Sequence, residues 1–191
     1  MELKKTEIQG CFQVFHDVNE DQRGNFVTVF ENSFFALNEL CVEWQSYSYS
    51  YNKYKGTIRG LHFQVYPFQQ AKLINCTSGS IYDVVIDLRP ESSTYLKFQT
   101  FELSSEGFFS IYIPQGCAHG FQTLADSTSV RYLLSKNFSE SHSSGIRYND
   151  PFFQVQWPMN VSIISKRDTS WSDYEVNQHK TADVNLGFQK K

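Results

Sequence analysis

No apolar run in this sequence approaches the roughly 20 residues a membrane-spanning helix needs. Cysteine is sparse: Cys11, Cys41, Cys76 and Cys117 are widely spaced and form no C-x-x-C pair. That pattern excludes a disulfide framework and predicts reduced, buried thiols in a cytoplasmic protein. Cys117 has no neighbour in sequence that would activate it and reads as packing. There is no glycine-rich phosphate loop and no long helical stripe, which excludes a Rossmann domain. Charge of either sign is scarce as well. A formal net charge of -3 and an isoelectric point near 5.9 argue against nucleic acid as a partner. Lys4 and Lys5 are not followed by an apolar segment, so no signal peptide is expected. We find no repeat, linker or second-domain boundary.

Aromatic residues, by contrast, are abundant, at 16% of the chain with 17 Phe and 11 Tyr, which suits strands. Short β-rich runs cover 12–15, 23–30, 72–76, 81–88, 97–103, 108–113, 120–124 and 130–134. Turn signals separate them at Ser78-Gly79, Pro90-Glu91-Ser92, Ser104-Ser105-Glu106-Gly107 and Asp126-Ser127. Only 33–40 has helical spacing behind a cap residue. The fold expected is all-β, a sandwich or barrel with few short helices, over residues 1–171. Residues 172–191 are polar and unpatterned, and read as a C-terminal arm.

Arg59, His62 and Lys72 fall close together within strand-like sequence. Strict alternation puts Ile58, Gly60, His62 and Gln64 on one face and Arg59, Leu61 and Phe63 on the other. A lone inward His is usually a satisfied core residue. A second segment, Pro114-Gln115-Gly116-Cys117-Ala118-His119, delivers another His from a turn into a strand, which favours a lined cavity. Ser46-Tyr47-Ser48-Tyr49-Ser50-Tyr51-Asn52 alternates strictly; either its small polar face or its tyrosines line the interior.

The two His segments resemble the paired motifs of metal-binding cupins, with Gln64 in place of the second His and Lys72 in place of the Glu. A cation among the ligands would repel a metal, so no metal and no cofactor are expected. Arg59-Gly60-Leu61-His62-Phe63-Gln64, Gln70-Ala71-Lys72-Leu73, Asp83-Val84 with Asp87-Leu88-Arg89, Ala118-His119-Gly120-Phe121, Asn149-Asp150-Pro151 and Trp157-Pro158 follow in order. This series resembles the dTDP-4-dehydrorhamnose 3,5-epimerase family, from about Arg23 to Asp168. The resemblance implies a cupin-type jelly roll, a homodimer, and a nucleotide-diphosphate sugar as substrate in dTDP-rhamnose biosynthesis.

It also implies roles. His62 is the base, Asp168 in Ser165-Lys166-Arg167-Asp168 orients it, Lys72 stabilises an enolate and Tyr132 is the acid. Arg23, Arg59 and Arg167 are diphosphate ligands, because guanidinium binds phosphate oxygens bidentately. Phe26 lies near the nucleobase, Phe138 stands where a tyrosine stacks on it, and His119, Gln64 and Ser48 complete the substrate contacts. The departures, Thr28 for a Glu, Phe138 for a Tyr, Ser143 for an acid and the Ser46–Asn52 run, all fall on nucleotide or sugar contacts. The chemistry implied is metal-free epimerisation at C3 and C5 of a nucleotide-linked 4-keto-6-deoxyhexose. The alternatives are a 3- or 5-monoepimerase on a CDP- or GDP-linked sugar, or a non-catalytic cupin that binds nucleotide sugar.

Overall fold

The computed structural model describes residues 1–176. Two antiparallel sheets face each other, as the short, turn-punctuated strands require. One has six strands, in the order β1 (Glu2–Lys5), β2 (Phe12–Phe15), β10 (Phe109–Ile113), β7 (Lys72–Ser78), β12 (Thr128–Leu134) and β5 (Ser46–Asn52). The other has five: β13 (Ser143–Gly145), β6 (Ile58–Gln64), β11 (Cys117–Thr123), β8 (Ser80–Asp87) and β9 (Phe98–Ser104). A separate hairpin pairs β3 (Val18–Asp21) with β4 (Gly24–Val27). Among the described residues the helical elements with defined bounds are α1 (Asn32–Leu37), α2 (Lys166–Thr169) and one 3-10 turn. The expected helix over 33–40 stops early because Glu39 takes a φ of 57°, which ends it.

Alternation along the strands divides the interior into two zones. Ile74 and Cys76 of β7, Ile81 and Val85 of β8, Ile111 and Ile113 of β10, Cys117 and Phe121 of β11 and Val130 of β12 form one dry cluster between the sheets. Lys72, Asp83, His119 and Tyr132 occupy the same inward-facing series on β7, β8, β11 and β12. The pocket is therefore one end of the core with polar residues written into the apolar series.

Both outer faces are covered too. Residues from Ile146 to Tyr174 bury Leu61, Phe63, Val84 and Ile86 behind the five-stranded sheet. Phe35 of α1, with Phe30 and Trp44, packs on Leu73 and Tyr112 behind the six-stranded one. Tyr174 is buried in its cluster, so the packed body runs beyond the boundary expected at 171. The rest of the expected arm, 177–191, lies outside the described residues.

Alternation fails at the centre of β6. His119 pairs with His62, and Phe121 then pairs with Arg59, so β6 carries one extra residue across this interval. A bulge of that kind reverses the face, and Arg59 turns to the same cavity as His62. Glycine is required on both sides of it: a Cβ on Gly60 would lie 2.6 Å from Gly120 Cα.

Candidate active site

Between the sheets lies a cavity of about 550 Å³, within the usual range for small-molecule sites. The five-stranded sheet contributes Arg59, His62 and His119; the six-stranded sheet contributes Ser48, Ser50, Lys72 and Tyr132. The tyrosines of β5 point outward, with Tyr49 72% exposed, which resolves the two readings of the Ser/Tyr run.

After the last strand the chain returns alongside β6. Ser162 N–H donates to Gly56 O, and Ile58 N–H donates to Ile163 O. This return leads into α2, where Ser165 Oγ accepts the Asp168 N–H at 3.0 Å and sets that residue's backbone. His62 donates Nε2–H to Asp168 Oδ1 at 2.6 Å, and Gly60 N–H donates to Asp168 Oδ2 at 3.2 Å. Burial alone would raise the Asp168 pKa; the His62 hydrogen bond and charge, with Gly60 and Ser165, hold it below the ordinary value. The carboxylate therefore stays ionised and fixes the imidazole tautomer, leaving Nδ1 with the lone pair.

A second dyad lies beside the first. His119 donates Nε2–H to Asp83 Oδ1 at 2.6 Å, with both residues buried. They are diagonal neighbours on adjoining strands, since His119 faces Val85 and Phe121 faces Asp83. Burial lowers the His119 pKa against the pull of Asp83, which favours the uncharged ring. Asp83 Oδ2 is buried without a hydrogen-bond partner among the described residues. Sequence reasoning did not select Asp83 as a site residue, although a carboxylate inside Ile81–Ile86 was a signal, because a buried charge needs a partner.

Lys72 is buried and donates Nζ–H to His62 O at 3.1 Å. Burial pulls its pKa from 10.5 to about 8, opposed by Cys117 and Asp83. The Cys117 thiol is itself pushed up by burial. Among the described residues no three of His, Cys, Asp and Glu group to hold a metal, and an ammonium stands at the cavity wall. Tyr132 approaches Ser50 Oγ with its hydroxyl at 3.3 Å, and burial raises its pKa above the ordinary value. The phenol is thus protonated and placed to donate. Lys72 and His119 are buried and His62 and Tyr132 half-buried, while the opposite end of the cavity carries exposed Arg59, Phe138 and Arg167. Arg167 stacks over Phe138 at 5.7 Å and over Trp171 at 5.5 Å. Arg59 is aimed by Asn52, whose Oδ1 accepts from Nε at 2.7 Å.

A family model described as dTDP-4-dehydrorhamnose 3,5-epimerase matches residues 5–175. The chain belongs to the dTDP-4-dehydrorhamnose 3,5-epimerase family. It is 39% identical over 151 residues to the enzyme of that name from Sinorhizobium fredii, covering 78% of this chain and 77% of the relative. It is 35% identical over 176 residues to the one from Methanothermobacter thermautotrophicus, covering 91% and 94%. A crystal structure of the Bacillus anthracis enzyme, with TDP and PPi bound, superposes with a TM-score of 0.87 at 32% identity, covering 91% and 99%.

Three expected contacts of this epimerase-family chain are placed differently from the rest. Arg23 and Phe26 lie on the β3–β4 hairpin and do not line their own chain's cavity. The Arg23 side chain is 90% exposed and paired with Asp21. Gln64 lines the cavity, but both its N–H groups are spent on the protein, on Phe68 O and Asn137 O. The other nine expected residues do line it: Ser48, Arg59, His62, Lys72, His119, Tyr132, Phe138, Arg167 and Asp168.

The Lys72 environment carries a prediction with two readouts. Below about pH 8 both folded and unfolded chains hold the charge, but only the folded chain keeps it out of water. The folded pKa lies below the ordinary one, so the unfolded chain binds this proton better and stability rises between pH 8 and 10.5. Lys72→Met removes a cost of about 3 kcal/mol at neutral pH, so its melting temperature should rise. Activity should fall about 100- to 1,000-fold as the enolate loses its cation. Wild-type activity should also decline as pH rises through about 8, with loss of the ammonium. A less stable Lys72→Met protein, measured by thermal denaturation, would contradict this reading of the site.

Proposed function

We propose that this chain inverts C3 and C5 of dTDP-4-keto-6-deoxyglucose to give dTDP-4-keto-L-rhamnose. The observation that carries the reading is the placement of base and acid on facing sheets. His62 comes from β6 and Tyr132 from β12, with the cavity between them. A 4-ketopyranose ring lying in that gap has one group on each side.

His62 Nδ1 takes the proton from the carbon next to the ketone, and Asp168 stabilises the resulting imidazolium. The electrons move into the carbonyl, and the Lys72 ammonium stabilises the enolate oxygen. Tyr132 then gives its proton to the same carbon from the opposite side, and solvent resets both groups. Exposed Arg59 and Arg167 bind the diphosphate, Phe138 stacks on the base, and Ser48 contacts the sugar. Conversion of dTDP-4-keto-6-deoxyglucose, followed by NMR, tests this. Turnover of the CDP- or GDP-linked sugar in its place would reassign the nucleotide.

We infer further that the protein works as a homodimer in the cytoplasm. Phe26 is 71% exposed on a hairpin whose own cavity it does not line, and the site of a second copy would give it and Arg23 a ligand. An apolar groove of about 260 Å³, lined by Val29, Phe30, Tyr47 and Leu133, adjoins edge strand β5. Burial of such a face against a second copy removes both an open edge and exposed tyrosines. A monomer in sedimentation at micromolar concentration would contradict this. The four free cysteines support a reducing compartment.

A further inference from the structure

No strand pairing holds the segment that carries Phe138, since β12 ends at Leu134 and β13 begins at Ser143. Backbone bonds hold only its two ends, Ser135 N–H to Ala71 O and Val65 N–H to His142 O, and side chains hold what lies between. Gln64 Oε1 accepts from Ser139 N–H at 2.7 Å, and Gln64 Nε2 donates to Asn137 O at 3.2 Å and to Phe68 O at 2.7 Å. Those contacts grip the residues on either side of Phe138. Gln70 Nε2 repeats the device one step earlier, donating to Lys136 O at 2.7 Å, and Ser135 Oγ accepts from Ala71 N–H at 2.8 Å. Further along, Val65 N–H donates to His142 O, and the His142 ring lies 4.5 Å from that of Phe68. The Phe138 ring itself remains 62% exposed.

We propose that Gln64 is a positioning residue for the nucleotide, acting through Phe138 rather than by touching the ligand. The inference rests on the proposed reading of Phe138 as the wall on which the nucleobase stacks. An amide that is 5% exposed, with both hydrogens given to backbone carbonyls, has no donor left for a substrate. What it does control is whether the Phe138 ring is already in place when the base arrives. Ordering that loop in advance removes an entropy cost from binding.

Gln64→Glu keeps the size and one acceptor oxygen but sets a carboxylate against the carbonyls of Phe68 and Asn137, which releases the loop. Gln64→Met keeps the length, removes the polarity, and serves if the charged variant does not fold. The probe is dTDP, titrated by calorimetry into wild type, the Gln64 variant, Phe138→Ala and the double variant. Each single change should weaken binding roughly tenfold, the scale of one aromatic–base stack. The double variant should bind no more than about threefold worse than Phe138→Ala alone, because both changes remove the same interaction. In turnover, KM should rise more than kcat falls. Multiplied losses of about 100-fold in the double variant would overturn the proposal, as would unchanged affinity in both Gln64 variants. Failure of wild type to bind dTDP overturns the functional reading and this inference together; binding with multiplied losses overturns the inference alone.

Discussion

His62→Asn should stop solvent exchange at both C3 and C5 while dTDP binding persists. One imidazole is expected to serve both carbons, since the His62 side chain is 40% exposed whereas His119 in the neighbouring dyad is 5% exposed. Asn occupies the same strand position and supplies no base, and the Arg59, Phe138 and Arg167 end of the cavity is left undisturbed. Loss of a positioned base lowers the rate about 100- to 10,000-fold, measurable as deuterium washed into substrate. Asp168→Asn should act by a different route. Its amide can donate to Nε2, driving the imidazole proton to Nδ1 and removing the lone pair that abstracts. Near-wild-type exchange in His62→Asn would remove His62 from the mechanism.

Tyr132→Phe should separate exchange from inversion. The substitution keeps the ring packed against the core and beside His119, and deletes the hydroxyl that approaches Ser50. Enolate formation needs His62 and Lys72, both untouched, so α-protons continue to exchange. Reprotonation then comes mostly from the His62 side and regenerates the starting configuration. Inverted product should fall about 100- to 10,000-fold, the usual worth of a positioned acid. Unchanged epimer yield would mean that water or another group protonates that face. Joint loss of exchange and inversion would move Tyr132 into enolate formation itself.

Much of this site was legible because its chemistry is carried by residue types that a strand interior does not otherwise hold. His119 within β11 and Lys72 at the head of β7 interrupt apolar series, and such interruptions can be read without coordinates. Asp168 was reached only through resemblance, because α2 has four residues and no periodicity; its approach to His62 depends on the return of 160–165 along β6. The face of Arg59 was misassigned for a local reason, the extra residue in β6, which pattern reading cannot detect. Gln64 misled in another way: its residue type suits a ligand contact, but its hydrogen bonds are consumed by loops at 68 and 137–139. The β1 strand escaped notice because Glu2–Lys5 is charged and pairs only with β2 at the sheet edge. Such an edge strand has little burial to shape its pattern. Arg23 and Phe26 show a further limit, since motif position does not reveal that their hairpin stands clear of the chain's own cavity.

The most direct test of the central claim, a metal-free base and acid working across the gap between two sheets, is turnover of dTDP-4-keto-6-deoxyglucose in D2O. Deuterium at each carbon is counted by mass spectrometry and NMR. The account predicts label at both C3 and C5, with inverted configuration at both. Label at one carbon alone would contradict double inversion, and unlabelled sugar from protein that binds dTDP would contradict the proton-transfer chemistry altogether.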